Sequence, residues 1–184
     1  MSILPTFFND FSMLVEGSYE WNEVILDKND IVFDCGANIG SFSAIALSKG
    51  CEVHAFEPIP DTFALLKKNL RHYKSEKQYL NMIGLSNKTS IEDFYIHPSS
   101  LSNSYLIADG NKERISIPVT TIDHYVKENN IKKVDFIKVN IEGAERHMLL
   151  GATDTIKKYR PKLSISTSLF NDDPQIIEEL ITSI

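Results

Sequence analysis

Several things are scarce in this 184-residue chain, and each scarcity removes a class of protein. Only two cysteines are present, Cys35 and Cys51, too few for a disulfide framework. Both read as reduced, small core residues of a cytoplasmic protein. No C-x-x-C or H-x-x-x-H spacing occurs, so no metal site is expected. No apolar run approaches the roughly 20 residues of a membrane span, and no basic segment precedes an apolar one at the N-terminus. Neither a span nor a secretion signal is therefore expected. Positive charge is also short: 19 Lys and Arg against 25 Asp and Glu give a net charge of −6. Nonspecific nucleic-acid binding needs a clustered cationic face. The one basic cluster, Lys67, Lys68, Arg71, Lys74 and Lys77, follows one helix and its exit and reads as a solvated face. Internal repeats and low-complexity tracts are absent.

With 42% hydrophobic residues the chain can build a real core. One domain over residues 1–184 is expected, with 1–29 as a helical lead-in and 90–118 as a β-hairpin and loop excursion. The most informative stretch runs from Ile31 to Pro58. Ile31, Val32 and Phe33 read as a buried strand ended by Asp34. Gly36 and Gly40 bracket a tight turn, and Ser41 to Ser48 form a helix stopped by Lys49 and Gly50. Val53 to Phe56 is a second strand, ending on Glu57, 23 residues after Asp34. A strand, glycine turn, helix, strand and acid in this order form the unit that binds adenosine-bearing cofactors. Gly36 would let backbone approach a ligand, Gly40 would let helix pack on strand, and Glu57 would take the ribose hydroxyls.

A dinucleotide fingerprint reads G-x-G-x-x-G, whereas Asp34-Cys-Gly36 lacks its first glycine. That argues against a nicotinamide dehydrogenase. Two acids flanking the turn, Asp34 and Glu57, suit a cofactor with a cationic amino-acid end, and S-adenosylmethionine fits that description.

Three motifs carry a family resemblance. Asp34-Cys-Gly-Ala-Asn-Ile-Gly40, Phe56-Glu-Pro58 and Asp135-Phe-Ile-Lys-Val-Asn-Ile-Glu-Gly-Ala-Glu145 resemble the FkbM-type S-adenosylmethionine-dependent methyltransferases, with similar patterning from about Tyr19 to Ser166. The Tyr19-Glu20 pair also matches. The resemblance implies a Rossmann-like class I methyltransferase that methylates a hydroxyl of a sugar, glycan or polyketide-like product. The expected partner is thus a small-molecule or carbohydrate acceptor. One departure stands out. Members usually carry Asp where this chain has Asn140, which cannot act as a base. A catalytically impaired protein that binds the cofactor, or serves in interactions, is the competing expectation.

The rest of the chain alternates strands and helices, as an open, mainly parallel sheet with helices on both faces requires. Glu20 to Leu26 has a short helical pattern, and Trp21 reads as a packing residue or one at the pocket rim. A helix from Pro60 to about Tyr73 docks through Phe63, Leu66 and Leu70. Tyr79 to Leu85 reads as the third strand, its end walling the adenine ring. Ile91–Ile96 and Ile115–Val119 bracket a polar loop that includes His97, a weak acid-base candidate. Thr121 to Asn129 is helical, capped by Thr120 or Thr121. Val134–Val139 is the fourth strand and Leu163–Ser166 the fifth, with helices at Ala144–Leu150, Thr153–Lys158 and Asp173–Ile184. The antiparallel strands that usually complete such a sheet have no sequence after these. A truncated form, or a partner such as a second copy covering the edge, are the expectations that follow.

Asp34, Gly36, Ala37, Asn38, Gly40, Glu57 and Leu85 are the expected cofactor contacts. Glu142, as base or acceptor-orienting carboxylate, and Asn140 are the expected catalytic pair. Glu145 reads as a carboxylate at a helix start, and His147 as a surface or packing residue. For Lys138, two readings stand: the same face as Asn140, or the surface.

Overall fold

A computed structural model describes residues 19–73, 76–96, 104–105 and 113–184. The expected loop around His97 and residues 1–18 of the lead-in lie outside these. Five parallel strands form the main sheet: β1 (Ile31–Cys35), β2 (Glu52–Phe56), β3 (Gln78–Asn81), β8 (Phe136–Val139) and β9 (Lys162–Ile165), in the order β3-β2-β1-β8-β9. The remaining strands, β4 (Gly84–Leu85), β5 (Ser90–Ile96), β6 (Ser104–Tyr105) and β7 (Glu113–Thr120), make a second sheet in the order β4-β7-β5-β6. The α/β class and parallel sheet agree with the sequence reading.

Strand side chains alternate between two cores, as a period of two demands. Val32, Val53, Ala55 and Phe136 face α1 (Ser41–Ser48) and α2 (Pro60–Leu70) in one cluster. Phe33, Phe56, Ile137 and Val139 face the other way, toward α3 (Ile122–Glu128), α4 (Glu145–Leu150), α5 (Thr153–Tyr159) and α6 (Asp173–Ser183). Helices thus cover both faces. Strands buried on both sides are apolar along most of their length, and β1 and β8 depart from this only at Asp34 and Lys138, which pair with each other.

Three local expectations are corrected. Tyr79–Leu85 is not one strand: β3 pairs with β2, then Gly84 and Leu85 leave the sheet and pair with Val119 and Thr120 of β7. Gly84 permits the crossing, since a Cβ there would lie 3.1 Å from the Val119 side chain. Glu20–Leu26 forms no helix. Trp21 and Val24 exchange backbone hydrogen bonds across a tight turn, which leaves the Trp21 ring 76% exposed. The helix from Pro60 ends at Leu70 rather than Tyr73, although Phe63, Leu66 and Leu70 do pack inward. Among the described residues no helix is long and apolar enough to cross a membrane.

Candidate active site

The turn after β1 is built by glycine, though by neighbouring backbone rather than by a ligand. A Cβ at Gly36 (φ +79°) would stand 2.0 Å from the Asn140 carbonyl oxygen. The two loops that follow the adjacent strands β1 and β8 therefore meet at that point, and Asn140 N donates to Cys35 O at 3.0 Å. Gly40 (φ +94°) is held against α2, where a Cβ would meet Leu66. Gly36 and Ala37 both donate to Phe56 O, tying the turn to the end of β2.

Asp34 faces the protein interior. Fully buried, it accepts from Ser43 Oγ at 2.6 Å and pairs through Oδ1 with Lys138 Nζ at 3.0 Å. Lys138 is itself only 3% exposed and also donates to the Gly36 carbonyl at 2.8 Å, which decides between its two sequence readings. The Asp34 charge is thus matched inside the protein, and the acid left facing the turn is Glu57.

Glu57 is buried at the end of β2. Its two oxygens accept from Asn38 N at 3.0 Å and Ile59 N at 2.9 Å. Burial pushes its carboxyl up to about 7, although both amide hydrogen bonds pull the other way. Beside it, Asn38 sits in a left-handed conformation (φ +50°), and its buried Oδ1 has no hydrogen-bond partner among the described residues.

After β8 the chain turns sharply through Glu142 (φ +54°) and Gly143 (φ +103°). The carboxylate of Glu145 braces this turn, accepting from Ile141 N at 2.9 Å and Gly143 N at 2.8 Å. Glu145 is buried at the first position of α4 and serves the backbone of the turn. The Asn140 amide donates to the Tyr19 hydroxyl at 3.2 Å. Arg146 is gripped by Asp172 and Asp173, which tethers α4 to the start of α6.

These turns open onto a cavity of about 340 Å³, within the range of small-molecule sites. Of the expected site residues, Gly36, Ala37, Asn38, Glu57, Leu85, Asn140 and Glu142 line it, whereas Asp34 and Gly40 do not. The sequence reading missed its far wall. Phe94, Ile117 and Val119 of the second sheet supply apolar lining, and Lys88, Glu92 and His147 supply polar lining. The period-two pattern of β5 and β7 was the available signal, but it states only which residues share a face. His147 is solvent-exposed, as a surface residue should be, yet it also borders the cavity. Among the described residues no cluster of His, Cys, Asp or Glu is arranged to hold a metal ion.

A doubly wound sheet with a cavity across the carboxyl ends of β1, β2 and β8, at the reversal of strand order, is the arrangement in which open α/β sheets bind their ligands. Residues 34–183 match the model of the methyltransferase FkbM domain, and the chain belongs to that family. Among curated proteins it is 28% identical over 131 residues to the hexuronic acid methyltransferase AglP of Haloferax volcanii, covering 71% of this chain and 53% of that protein. It is 29% identical over 164 residues to the 31-O-demethyl-FK506 methyltransferase FkbM of Streptomyces tacrolimicus, covering 71% and 62%. The crystal structure of methyltransferase FkbM from Methylobacillus flagellatus KT superimposes with a TM-score of 0.67 at 26% identity, over 98% of this chain and 44% of that one. The chain thus spans about half the length of these relatives.

Proposed function

We propose that the chain is an S-adenosylmethionine-dependent O-methyltransferase acting on a hydroxyl of a sugar, glycan or small natural product in the cytoplasm. One observation carries the reading: a single cavity joins the amide-braced Glu57 and the unpartnered Asn38 Oδ1 to the Asn140–Glu142 turn. Each Glu57 oxygen accepts one amide and keeps a lone pair for a ribose hydroxyl. Asn38 Oδ1 lacks a donor, which an ammonium group supplies. Leu85 and the apolar wall suit an adenine ring. The residues present therefore fit this cofactor, which would bring an electrophilic methyl group to the site when bound. Asn140 and Glu142 line the same cavity, where they would orient the acceptor. Much of the acceleration in such a displacement comes from positioning.

Titration calorimetry with S-adenosylmethionine and S-adenosylhomocysteine tests the donor, and transfer of labelled methyl to sugars and macrolides tests the reaction. Glu57→Ala should weaken donor binding about tenfold or more, the worth of one hydrogen bond to a charged group. Unchanged affinity would remove Glu57 from the site. The second reading, a binding protein without catalysis, is favoured by Asn140, whose amide cannot take up a proton. Donor binding without transfer to any acceptor would support it.

A further inference from the structure

A hydroxyl acceptor has to lose a proton, and few groups in the cavity can receive it. Asn140 cannot. Glu145 is committed to two backbone amides, and Lys138 is buried against Asp34. Glu57 is braced by amides at the donor end. Glu142, Glu92 and His147 remain. Glu92 accepts from Ser90 at 2.8 Å and pairs with Lys88 at 2.7 Å. Those hydrogen bonds, with the charge of Lys88 and the nearby His147, hold its carboxyl below the usual range, which makes it a poor base. Of the remaining two, Glu142 is part of the left-handed turn that closes the loop (φ +54°), whereas the His147 imidazole stands exposed on α4 at the border of the cavity, with a ring nitrogen able to accept a proton.

We propose that His147 is the base that deprotonates the acceptor hydroxyl, with Glu92 as a positioning residue that stabilises the imidazolium. The inference rests on the methyltransferase reading and deepens it. His147 borders the cavity from α4, one turn past the Asn140–Glu142 loop, and Glu92 borders it from β5. Glu92 lies close enough for its charge and that of the imidazole to be felt, Lys88 is paired with Glu92, Glu142 borders the same cavity from the loop before α4, and neighbouring Arg146 is engaged by Asp172 and Asp173. In the step, the acceptor oxygen bonds to the donor methyl carbon and the carbon–sulfur bond breaks. Its electron pair stays on sulfur, leaving a neutral thioether. The hydroxyl proton passes to a ring nitrogen of His147 and then to water. Glu142 is left to orient the acceptor.

The test uses the full chain, labelled S-adenosylmethionine, and hexoses, hexuronic acids and a macrolide as acceptors, with donor affinity measured separately by calorimetry. His147→Gln, at an exposed position, should lower turnover by about 100-fold, the low end for acid-base catalysis, and leave donor affinity within about twofold. The wild-type rate should rise with pH through the imidazole range, and His147→Gln should abolish that limb. Glu92→Gln should move the limb to lower pH, because loss of the carboxylate makes the imidazolium more acidic. A His147→Gln variant that keeps both the rate and the limb overturns the proposal while the methyltransferase reading stands. Absence of donor binding by the wild type, or donor binding without transfer to any acceptor, sinks that reading itself and the base with it.

Discussion

At the scale of single residues, Glu57 shows how burial and hydrogen bonding compete. Two backbone amides favour its charged form, but desolvation wins and lifts the carboxyl from 4.5 to about 7. With the folded value raised, the group's contribution to stability is fully present below about 4.5 and is lost as pH rises through 7. A ligand that donates hydroxyl hydrogen bonds to the carboxylate reverses this preference, so its binding should release a proton. We expect S-adenosylhomocysteine affinity to be flat above pH 7 and to fall by up to about tenfold per unit below it. Calorimetry in buffers of different ionisation enthalpy measures both the affinity and the proton released. Glu57→Gln should flatten the profile, and a pH dependence that survives this substitution would assign it elsewhere. Gly36 teaches a related lesson at the same scale. Its missing Cβ makes room for the Asn140 carbonyl, so the first motif and the last are one piece of backbone packing.

At the scale of elements, the turn between β8 and α4 depends on a carboxylate that the sequence suggests is a helix-start acid. Glu145 supplies the acceptors for Ile141 N and Gly143 N while Glu142 adopts a left-handed conformation. Glu145→Ala should cost about 3 kcal/mol by leaving two part-buried amides without partners, and urea unfolding measures it. Glu145→Gln keeps one carbonyl acceptor and should recover part of the loss. The second sheet shows a different effect. Ile91 points outward at 76% exposure, while Glu92 on the opposite face of β5 borders the cavity. Phe94 shares the Glu92 face and is buried in the apolar wall, so the strand is oriented by Phe94 and not by Ile91.

At the scale of the whole molecule, Lys138 ties the main sheet to the site. It joins Asp34 of β1, the Gly36 carbonyl of the glycine turn and its own strand β8, and its ammonium lies 5.0 Å from the centroid of the Tyr19 ring. Lys138→Met should cost about 3–5 kcal/mol, since it strands the Asp34 charge in the interior. The double variant Lys138→Met with Asp34→Leu should recover much of that loss, as denaturant midpoints would show. The parallel sheet, the two helical layers and both glycine turns were legible in the sequence because they rest on local signals: β-branched runs, glycine punctuation and helical spacing. Chain order alone put Asp34, Glu57 and Asn140 at carboxyl strand ends. Side-chain direction was another matter. Whether Asp34 meets a ligand or a lysine depends on Lys138, 104 residues away, and whether His147 borders solvent or a cavity depends on a hairpin from another part of the chain. Local sequence thus determined which elements form and where the glycine turn lies, because backbone preference and hydrophobic period act over a few residues. Tertiary structure alone decided which acids are neutralised and which groups share the cavity, because charge pairing and cavity walls are made by residues distant in sequence.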